Sequence, residues 1–297
     1  MKPESMTNAL LAIGILCLSP VQAALPMKVL FWGGQSGIHN PQEQGNRFIA
    51  AMKLVGIQVD YSGAMDNSGI NDANLAKYDA IVSYQQSGAP EISNAQIASL
   101  YKFAESGKGI IFTHMSLVAG AASDRYTKLI GGYFLDHGNG SYYGQPIVID
   151  SSDNAHPALG GTPAWTSWDE TYVNAIYPGS RVLQHRAAQD KGPSDWTWVR
   201  EQGKGRVYYT SWGHDANSWG NPGFMKQLEI ALEYVTEPLR GGATAIAPLL
   251  IFPNPEFTLV RGAHSASGPR FTWRGGAAAF GVDGRGIETP KALRGAK

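Results

Sequence analysis

Three histidines follow short apolar segments of the sequence and are the first candidates for chemistry. His39 lies in the turn after the first such segment, and His114 and His214 stand at the ends of two later ones. An imidazole transfers protons near neutral pH and is also a common metal ligand. A lone histidine is more often a hydrogen-bonded structural residue, so the three indicate a functional site only if the fold gathers them in one place.

Carboxylates accompany the histidines at two points. Asp215 directly follows His214, and the segment WDETY (168–172) places Asp169 and Glu170 beside aromatic side chains. Such a pair of acids can act in general acid–base catalysis, bind a metal or recognise sugar hydroxyls. The alternative is a plain turn in which Asp169 caps a backbone amide and Glu170 is solvated.

Strand-like and helix-like segments alternate between residues 24 and 237. The expected strands are 27–32, 57–62, 78–84, 109–114, 181–185, 196–200 and 206–211, and the expected helices are 40–56, 93–107 and 221–235. Asn40 and Pro41 predict the start of the first helix, and Ser93 with Gln96 predicts a capping box for the second. Helices between strands favour an α/β fold with a flavodoxin-like, doubly wound and mostly parallel sheet.

A ligand-binding site is expected at the carboxyl ends of the predicted parallel strands. The carboxyl ends of parallel strands lie at one edge of an open sheet, and ligands bind there. The first strand delivers Gln35, Ser36 and His39 just before a helix, while two later strands deliver His114 and His214. We therefore expect one polar, water-accessible cleft that holds all three histidines.

The overall charge excludes one class of partner. The 297 residues have a formal net charge of zero, and the expected helices carry no stripe of Lys and Arg. Binding to nucleic acid depends on neutralising phosphates with basic side chains. Nucleic acid is therefore not an expected partner.

The first 23 residues are typical of a secretory signal peptide. The apolar stretch from Ala9 to Leu18 is too short to span a bilayer, and the small residues after it predict cleavage after Ala23. We expect a periplasmic or secreted protein that has no membrane partner once the signal is removed. The only cysteine, Cys17, lies in this segment, so the mature chain has no thiol for catalysis, metal binding or a disulfide.

The composition changes after the expected domain 24–237. Residues 238–297 are rich in Gly, Ala, Pro and Arg, and they hold eight basic and three acidic side chains. Little periodicity is present that could build a core, so we expect a largely disordered tail. An out-of-frame coding sequence is the alternative reading of this segment.

Five segments resemble the trehalose-utilisation (ThuA-like) family, whose fold is similar to that of class I glutamine amidotransferases. In chain order they are GKGIIFTHMS, LIGGYFLDH, AHPALGG, WDETY and GKGRVYYTSWGHDANSWGNPGF, and the resemblance covers residues 27–236. The resemblance implies a role linked to carbohydrate. The substrates that it suggests are trehalose, related disaccharides or their 3-keto derivatives.

The sequence departs from the amidotransferases at the reacting group. In those enzymes one strand ends at a sharp elbow that carries a nucleophilic cysteine, and a later strand end carries a histidine. Here the elbow has the sequence THM around His114, and the later strand end has GHD around His214. A Cys-dependent glutamine amidotransferase is therefore excluded by residue type.

Two assignments remain open for the histidines. In one, a divalent metal is bound by His114 and His214, with an oxygen from Glu170 or Asp215. In the other, the pocket holds no metal and Asp215 orients His214. In an enzyme of either kind, His214 with Asp215 or Glu170 is the acid–base element, and His114 binds the metal or an oxyanion.

A sugar site needs aromatic platforms and short polar groups, because sugars have an apolar face and many hydroxyls. The expected substrate-binding residues are Gln35, Ser36, His39, Trp168, Tyr172, Trp212, Asn217 and Trp219. The expected function is an enzyme that hydrolyses, isomerises or eliminates from an oxidised disaccharide. A non-catalytic carbohydrate-binding or accessory module is the alternative.

Overall fold

A computed structural model describes residues 27–34, 39–64, 67–85, 92–138 and 145–240. The strands in these residues are β1 (Lys28–Trp32), β2 (Gln58–Ser62), β3 (Ala80–Ser83), β4 (Gly109–Thr113), β5 (Gly132–Asp136), β6 (Ile149–Ser152), β7 (Val173–Ile176), β8 (Arg181–Arg186), β9 (Ser194–Gln202) and β10 (Gly205–Thr210). The α-helices are α1 (Pro41–Leu54), α2 (Asp72–Leu75), α3 (Asn94–Glu105), α4 (Asp124–Ile130), α5 (Ala216–Trp219) and α6 (Pro222–Thr236). Two short 3-10 helices cover His114–Leu117 and Glu237–Arg240. The predicted signal peptide, Gln35, Ser36 and residues 241–297 of the predicted tail lie outside the described residues.

The central sheet has eight strands in the order β2-β1-β3-β4-β10-β9-β8-β6. The first five of these strands are parallel, and β9 begins an antiparallel part that includes β8 and β6. A separate two-stranded antiparallel sheet pairs β5 with β7. The prediction of an α/β fold with a mostly parallel, doubly wound sheet is confirmed.

Helices cover both faces of the sheet, because alternate side chains of β1 belong to two different buried clusters. Val29 and Phe31 belong to one buried cluster, which includes Phe48 of α1 and Leu228 of α6. Leu30 and Trp32 belong to the other cluster, which receives residues of α3 and α4. Successive side chains of a strand point to opposite faces, so a strand buried on both sides is apolar throughout.

Local signals fix the helix starts as the sequence predicts. The Asn40 side chain accepts the backbone N–H of Glu43 at the start of α1, and Pro41 takes the first helical position. Ser93 and Gln96 form the predicted capping box of α3. Among the described helices, none combines the length and the apolar character that crossing a bilayer requires.

Three strands are absent from the sequence prediction: β5, β6 and β7. Each has only four or five residues and is at least partly exposed along most of its length. Such short segments show no clear alternation, because their pairing comes from strands far away in the chain. They matter for the site because the loop between β6 and β7 carries Asp169 and Glu170.

Candidate metal and catalytic site

Four buried side chains meet at the carboxyl edge of the parallel strands: His39, His114, Glu170 and His214. One ligand atom of each lies within 4.8 Å of the corresponding atom of every other. Their ring centroids are 4.7 Å apart for His39 and His214, and 5.3 Å apart for His114 and His214. The three strand-end histidines therefore share one site, as the topology predicts, but their side chains are buried and do not line the water-accessible cleft that the sequence led us to expect.

His114 stands at a sharp turn between β4 and the 3-10 helix. Its φ of 44° lies in the left-handed region, which is uncommon for a residue other than glycine. Its Nδ1 is 2.8 Å from the carbonyl oxygen of Ser211. A carbonyl only accepts, so Nδ1 carries a proton, while Nε2 lies 3.3 Å from Oε2 of Glu170. The ring stacks on Tyr172 with centroids 4.3 Å apart.

Asp169 holds the turn that presents His214. Its carboxylate accepts the backbone N–H of Gly213 at 2.7 Å and that of His214 at 3.2 Å. It also accepts the hydroxyl of Ser218 at 2.6 Å. Gly213 has a φ of 129°, a conformation that side chains rarely adopt, so this turn needs glycine.

His39 is the member with the fewest partners. It is 2% exposed, and neither ring nitrogen has a hydrogen-bond partner within the described residues. A buried imidazole without any partner costs free energy, because both nitrogens lose their contacts with water. A ligand between the histidines would restore the missing contacts.

Glu170 supplies the oxygen ligand of the cluster. Its Oε2 lies 3.3 Å from Nε2 of His114 and 3.4 Å from Nδ1 of His214. Metal–ligand bonds of about 2.1 Å in a tetrahedral site place neighbouring ligand atoms about 3.4 Å apart. The two distances from Glu170 Oε2 are therefore close to those between neighbouring ligand atoms of a tetrahedral metal site.

Three side chains of the cluster have shifted pKa values, and the cause differs among them. Burial and the nearby imidazoles of His114 and His214 lower the pKa of His39 to about 3. Burial alone would lower the pKa of His214, but its hydrogen bond to Glu170 and the charge of Asp169 outweigh burial and raise that pKa. Burial alone would raise the pKa of Glu170, but its hydrogen bonds to His114 and His214 outweigh burial and lower that pKa. A neutral His39 and an ionised Glu170 are the forms that bind a metal.

The donor set fits a divalent transition metal. Three imidazoles and one carboxylate suit Zn²⁺ and its neighbours in the first transition row, whereas Mg²⁺ and Ca²⁺ prefer an all-oxygen site. The two ring nitrogens of His39, which have no hydrogen-bond partner within the described residues, point to the same fit. Of the residues predicted to hold a metal, His114, His214 and Glu170 lie together, and the structure adds His39 to them.

The predicted residues Asp215 and Asn217 have other partners. Asp215 accepts the backbone N–H of Asn217 at 2.7 Å and its side-chain amide at 3.0 Å, which caps α5. Neither residue belongs to the group of four converging ligand residues. Asp169, and not Asp215, bonds the backbone of His214.

The predicted aromatic residues divide into exposed and buried ones. Trp168 is 48% exposed, whereas Tyr172, Trp212 and Trp219 are each 1% exposed. Trp219 packs between core rings and donates its indole N–H to the Gly213 carbonyl at 2.8 Å. Trp168 is thus the one exposed aromatic residue of this predicted set in the described residues.

Sequence reasoning missed Tyr84 and the part that Asp169 plays in orienting the site. Tyr84 follows β3 at the same sheet edge and donates its hydroxyl to the His214 carbonyl at 2.8 Å. Its position just after a strand that is parallel to β1 and β4 is the signal that could have identified it. Asp169 does cap a backbone amide, that of Glu170 at 2.9 Å, as one of the two alternatives proposed, but Glu170 is buried and not solvated. The contacts of Asp169 with Gly213 and His214 left no comparable signal in the sequence.

Comparison with known families identifies one match. The family model described as "ThuA: Trehalose utilisation" matches residues 28–235. The chain belongs to the ThuA family. No curated protein matches the chain.

Solved structures similar to this ThuA-family chain share its fold. A ThuA-like protein from Bacteroides uniformis has 18% sequence identity and a TM-score of 0.55, over 72% of this chain and 93% of that one. A second, from Parabacteroides merdae, has 16% identity and a TM-score of 0.59, over 71% and 90% of the two chains. A β-galactosidase from Bacillus circulans sp. alkalophilus has 14% identity and a TM-score of 0.53, over 88% of this chain but 39% of its own. At these identities the similarity establishes the fold alone.

The ThuA-family chain keeps the sharp elbow of the amidotransferase-like fold but not its nucleophile. The turn after β4 carries His114, whose imidazole is fully buried. The chain's only cysteine is Cys17, outside the described residues. The elbow of this chain thus presents an imidazole to the cluster, and the chemistry of the site differs accordingly.

Proposed function

We propose that this protein is an enzyme of carbohydrate metabolism that depends on a divalent transition metal. His39, His114, His214 and Glu170 would hold the ion, and trehalose or a related disaccharide, including its keto derivative, would be the substrate. The membership in a trehalose-utilisation family supports the substrate class. The reaction would be a hydrolysis, an isomerisation or an elimination.

One observation carries the metal part of the proposal: three buried imidazoles and a carboxylate converge, and both ring nitrogens of His39 have no hydrogen-bond partner within the described residues. In a metal-free polar pocket, buried nitrogens would be bonded to protein groups or to water. A bound ion uses the nitrogen lone pairs directly. When bound, a divalent ion supplies a Lewis acid that polarises an oxygen atom of the substrate.

The chain's own residues prepare the site before any substrate arrives. The Ser211 carbonyl fixes the tautomer of His114, and Asp169 fixes the backbone of His214. Glu170 is held ionised beside both imidazoles. Such fixed outer partners raise metal affinity and keep the ligand atoms in place.

The carbohydrate part of the proposal has a physical support in Trp168. Its indole is about half exposed and lies two residues before Glu170. An exposed indole face packs against the apolar face of a sugar ring. The proposal therefore assigns sugar binding to Trp168 and proton or metal chemistry to the buried cluster.

Metal analysis of the purified protein tests the proposal first. We expect about one zinc or similar ion per chain in the wild type. His214→Ala and His114→Asn should lose the ion, and Asn is chosen because it tolerates the left-handed backbone of residue 114. His185→Ala is the matched control, since His185 is exposed and paired with Asp195. A metal-free wild type, or full occupancy in His214→Ala, would contradict the proposal.

The closed ligand set favours a second candidate, a non-catalytic carbohydrate-binding module. Four protein ligands that are all buried resemble a structural zinc site, whereas catalytic sites usually keep a position for substrate. Calorimetry with trehalose and with a keto-disaccharide, followed by product analysis, separates the two candidates. Turnover that is lost in His214→Ala supports the enzyme, and binding without turnover supports the module.

We also propose that the protein is exported to the periplasm or secreted. The apolar N-terminal segment and the small residues before Ala23 support this proposal. Sequencing the N-terminus of the mature protein is the test, and Ala24 is the expected first residue. An intact Met1 in protein recovered from the cytoplasm would contradict it.

A further inference from the structure

The hydroxyl of Tyr84 lies between the backbones of two residues of the cluster. It is 2.8 Å from the carbonyl oxygen of His214 and 3.3 Å from that of His39. The side chain is completely buried at the end of β3. One hydroxyl has one proton, so Tyr84 shares it between both carbonyls and brings the two backbones to the same atom.

The His214 side of this contact is rigid. The N–H groups of Gly213 and His214 are bonded to Asp169, and the Gly213 carbonyl accepts the indole N–H of Trp219. With the Tyr84 bond to the His214 carbonyl, every backbone polar group of these two residues has a buried side-chain partner. The turn at Gly213 and His214 is therefore rigid, and the Tyr84 hydroxyl holds the His39 backbone at a fixed position relative to it.

The His39 side depends on Tyr84. The contact to the Tyr84 hydroxyl is the only hydrogen bond of His39 within the described residues. The two rings meet edge to face with centroids 6.3 Å apart. The position of His39 relative to His214 thus rests on this hydroxyl and on ring packing.

We propose that Tyr84 is a positioning residue that sets the distance between His39 and His214 and thereby the affinity of the metal site. This inference rests on the proposed metal-dependent function. Partners in the shell around metal ligands change metal affinity by about 10-fold to 100-fold when they are removed. A loss of that size is expected when the Tyr84 hydroxyl is deleted.

Tyr84→Phe with a matched control is the test. Phenylalanine keeps the ring that packs on Trp219, whose centroid lies 4.9 Å away. Tyr208→Phe is the control, because the Tyr208 hydroxyl is equally buried but bonds the Gln227 amide instead of a metal-ligand residue. Both variants lose one buried hydroxyl, so both should lose stability without metal.

Affinity for Zn²⁺, measured by competition with a chelator, separates positioning from general destabilisation. We expect Tyr84→Phe to bind Zn²⁺ about 10-fold to 100-fold more weakly than the wild type, and Tyr208→Phe to bind it within about twofold. The visible absorption of the Co²⁺-loaded protein should change only in Tyr84→Phe, since it reports ligand geometry. Equal Zn²⁺ affinity and equal Co²⁺ spectra in both variants would overturn the inference.

Hydrogen exchange of the metal-free protein tests the positioning by Tyr84 independently of the proposed metal-dependent function. Tyr84→Phe should speed exchange in residues 39–46 and 212–219 together, whereas Tyr208→Phe should not. If the wild type binds no metal and this paired change is present, the proposed function fails and the positioning by Tyr84 stands. If exchange in the two segments is unchanged, the positioning is wrong whatever the metal result.

Discussion

The Asp169 carboxylate accepts the backbone N–H of His214 at 3.2 Å, although 44 positions separate the turn at Gly213 from Asp169. Its neighbour in the sequence, Glu170, faces the imidazole nitrogens of the same site. Two adjacent acids therefore perform different tasks: Asp169 holds the backbone of the turn, and Glu170 supplies an oxygen to the cluster. The proposed metal site depends on both.

Asp169→Asn should destabilise the protein and weaken the metal site. An amide that turns its NH2 toward the N–H groups of Gly213 and His214 leaves donors facing donors. We expect the free energy of unfolding to fall by about 3 kcal/mol, measured by urea denaturation with a chelator present. Asp195→Asn is the control, because Asp195 pairs with the exposed His185. Unchanged stability in Asp169→Asn would contradict the orienting role.

Added metal should stabilise the folded protein. A ligand at about 1,000 times its dissociation constant adds about 4 kcal/mol to the free energy of unfolding if it binds only the folded state. For a domain of this size we expect the Tm to rise by about 10 °C when Zn²⁺ is added to chelator-treated protein. The rise should be absent in His214→Ala and present in His185→Ala. A rise of equal size in His214→Ala would mean that the ion binds elsewhere.

Acid should destabilise the metal-free protein through His39. The pKa of His39 is lowered from 6.5 to about 3, so between these values the unfolded chain binds a proton that the folded chain does not. The free energy of unfolding therefore falls as the pH falls. Between pH 7 and pH 5 we expect a loss that is about 2 kcal/mol larger in the wild type than in His39→Asn. Parallel pH profiles of the two proteins, measured by urea denaturation, would show that His39 is not held neutral.

Trp168→Ala should weaken sugar binding without changing the metal site. Its indole is 48% exposed, so its removal leaves no cavity in the core. We expect at least about a 10-fold loss of affinity for the bound disaccharide, with unchanged zinc content and a Tm within about 2 °C. Tyr133→Ala is the control, since Tyr133 is also an exposed aromatic residue but lies in β5 outside the predicted site. Equal sugar affinity in the wild type and Trp168→Ala would show that Trp168 does not bind the sugar.

Much of the architecture was predictable because its signals are local. Asn40 with Pro41 and Ser93 with Gln96 fix helix starts through contacts within one turn. The apolar runs of β1 and β4 follow from burial on both faces. Because β4 and β10 are parallel, His114 and His214, which follow them, must lie at the same edge of the sheet. The family resemblance rested on five segments, two of which contain His114 and His214, and it is confirmed.

The details of the site were not predictable in this way. The sequence left Asp215 and Glu170 open as the partner of His214, and the structure places Glu170 beside its imidazole, while Asp215 caps α5 and Asp169 holds the turn. Trp212 and Trp219 fit a sugar platform by position, yet both are buried in the core. A loop side chain takes its direction from contacts with distant parts of the chain.

The sequence by itself determined the layers of the fold, the edge at which the site forms and the absence of a catalytic thiol in the domain. Only the tertiary structure decided that His39 joins the converging ligand residues, that Glu170 and not Asp215 faces the imidazoles and that Tyr84 joins two of their backbones. Periodicity and capping act over a few residues and can be read along the chain. The side-chain directions depend on bonds such as that from His114 to Ser211, across 97 positions, which exist only after the sheet has formed.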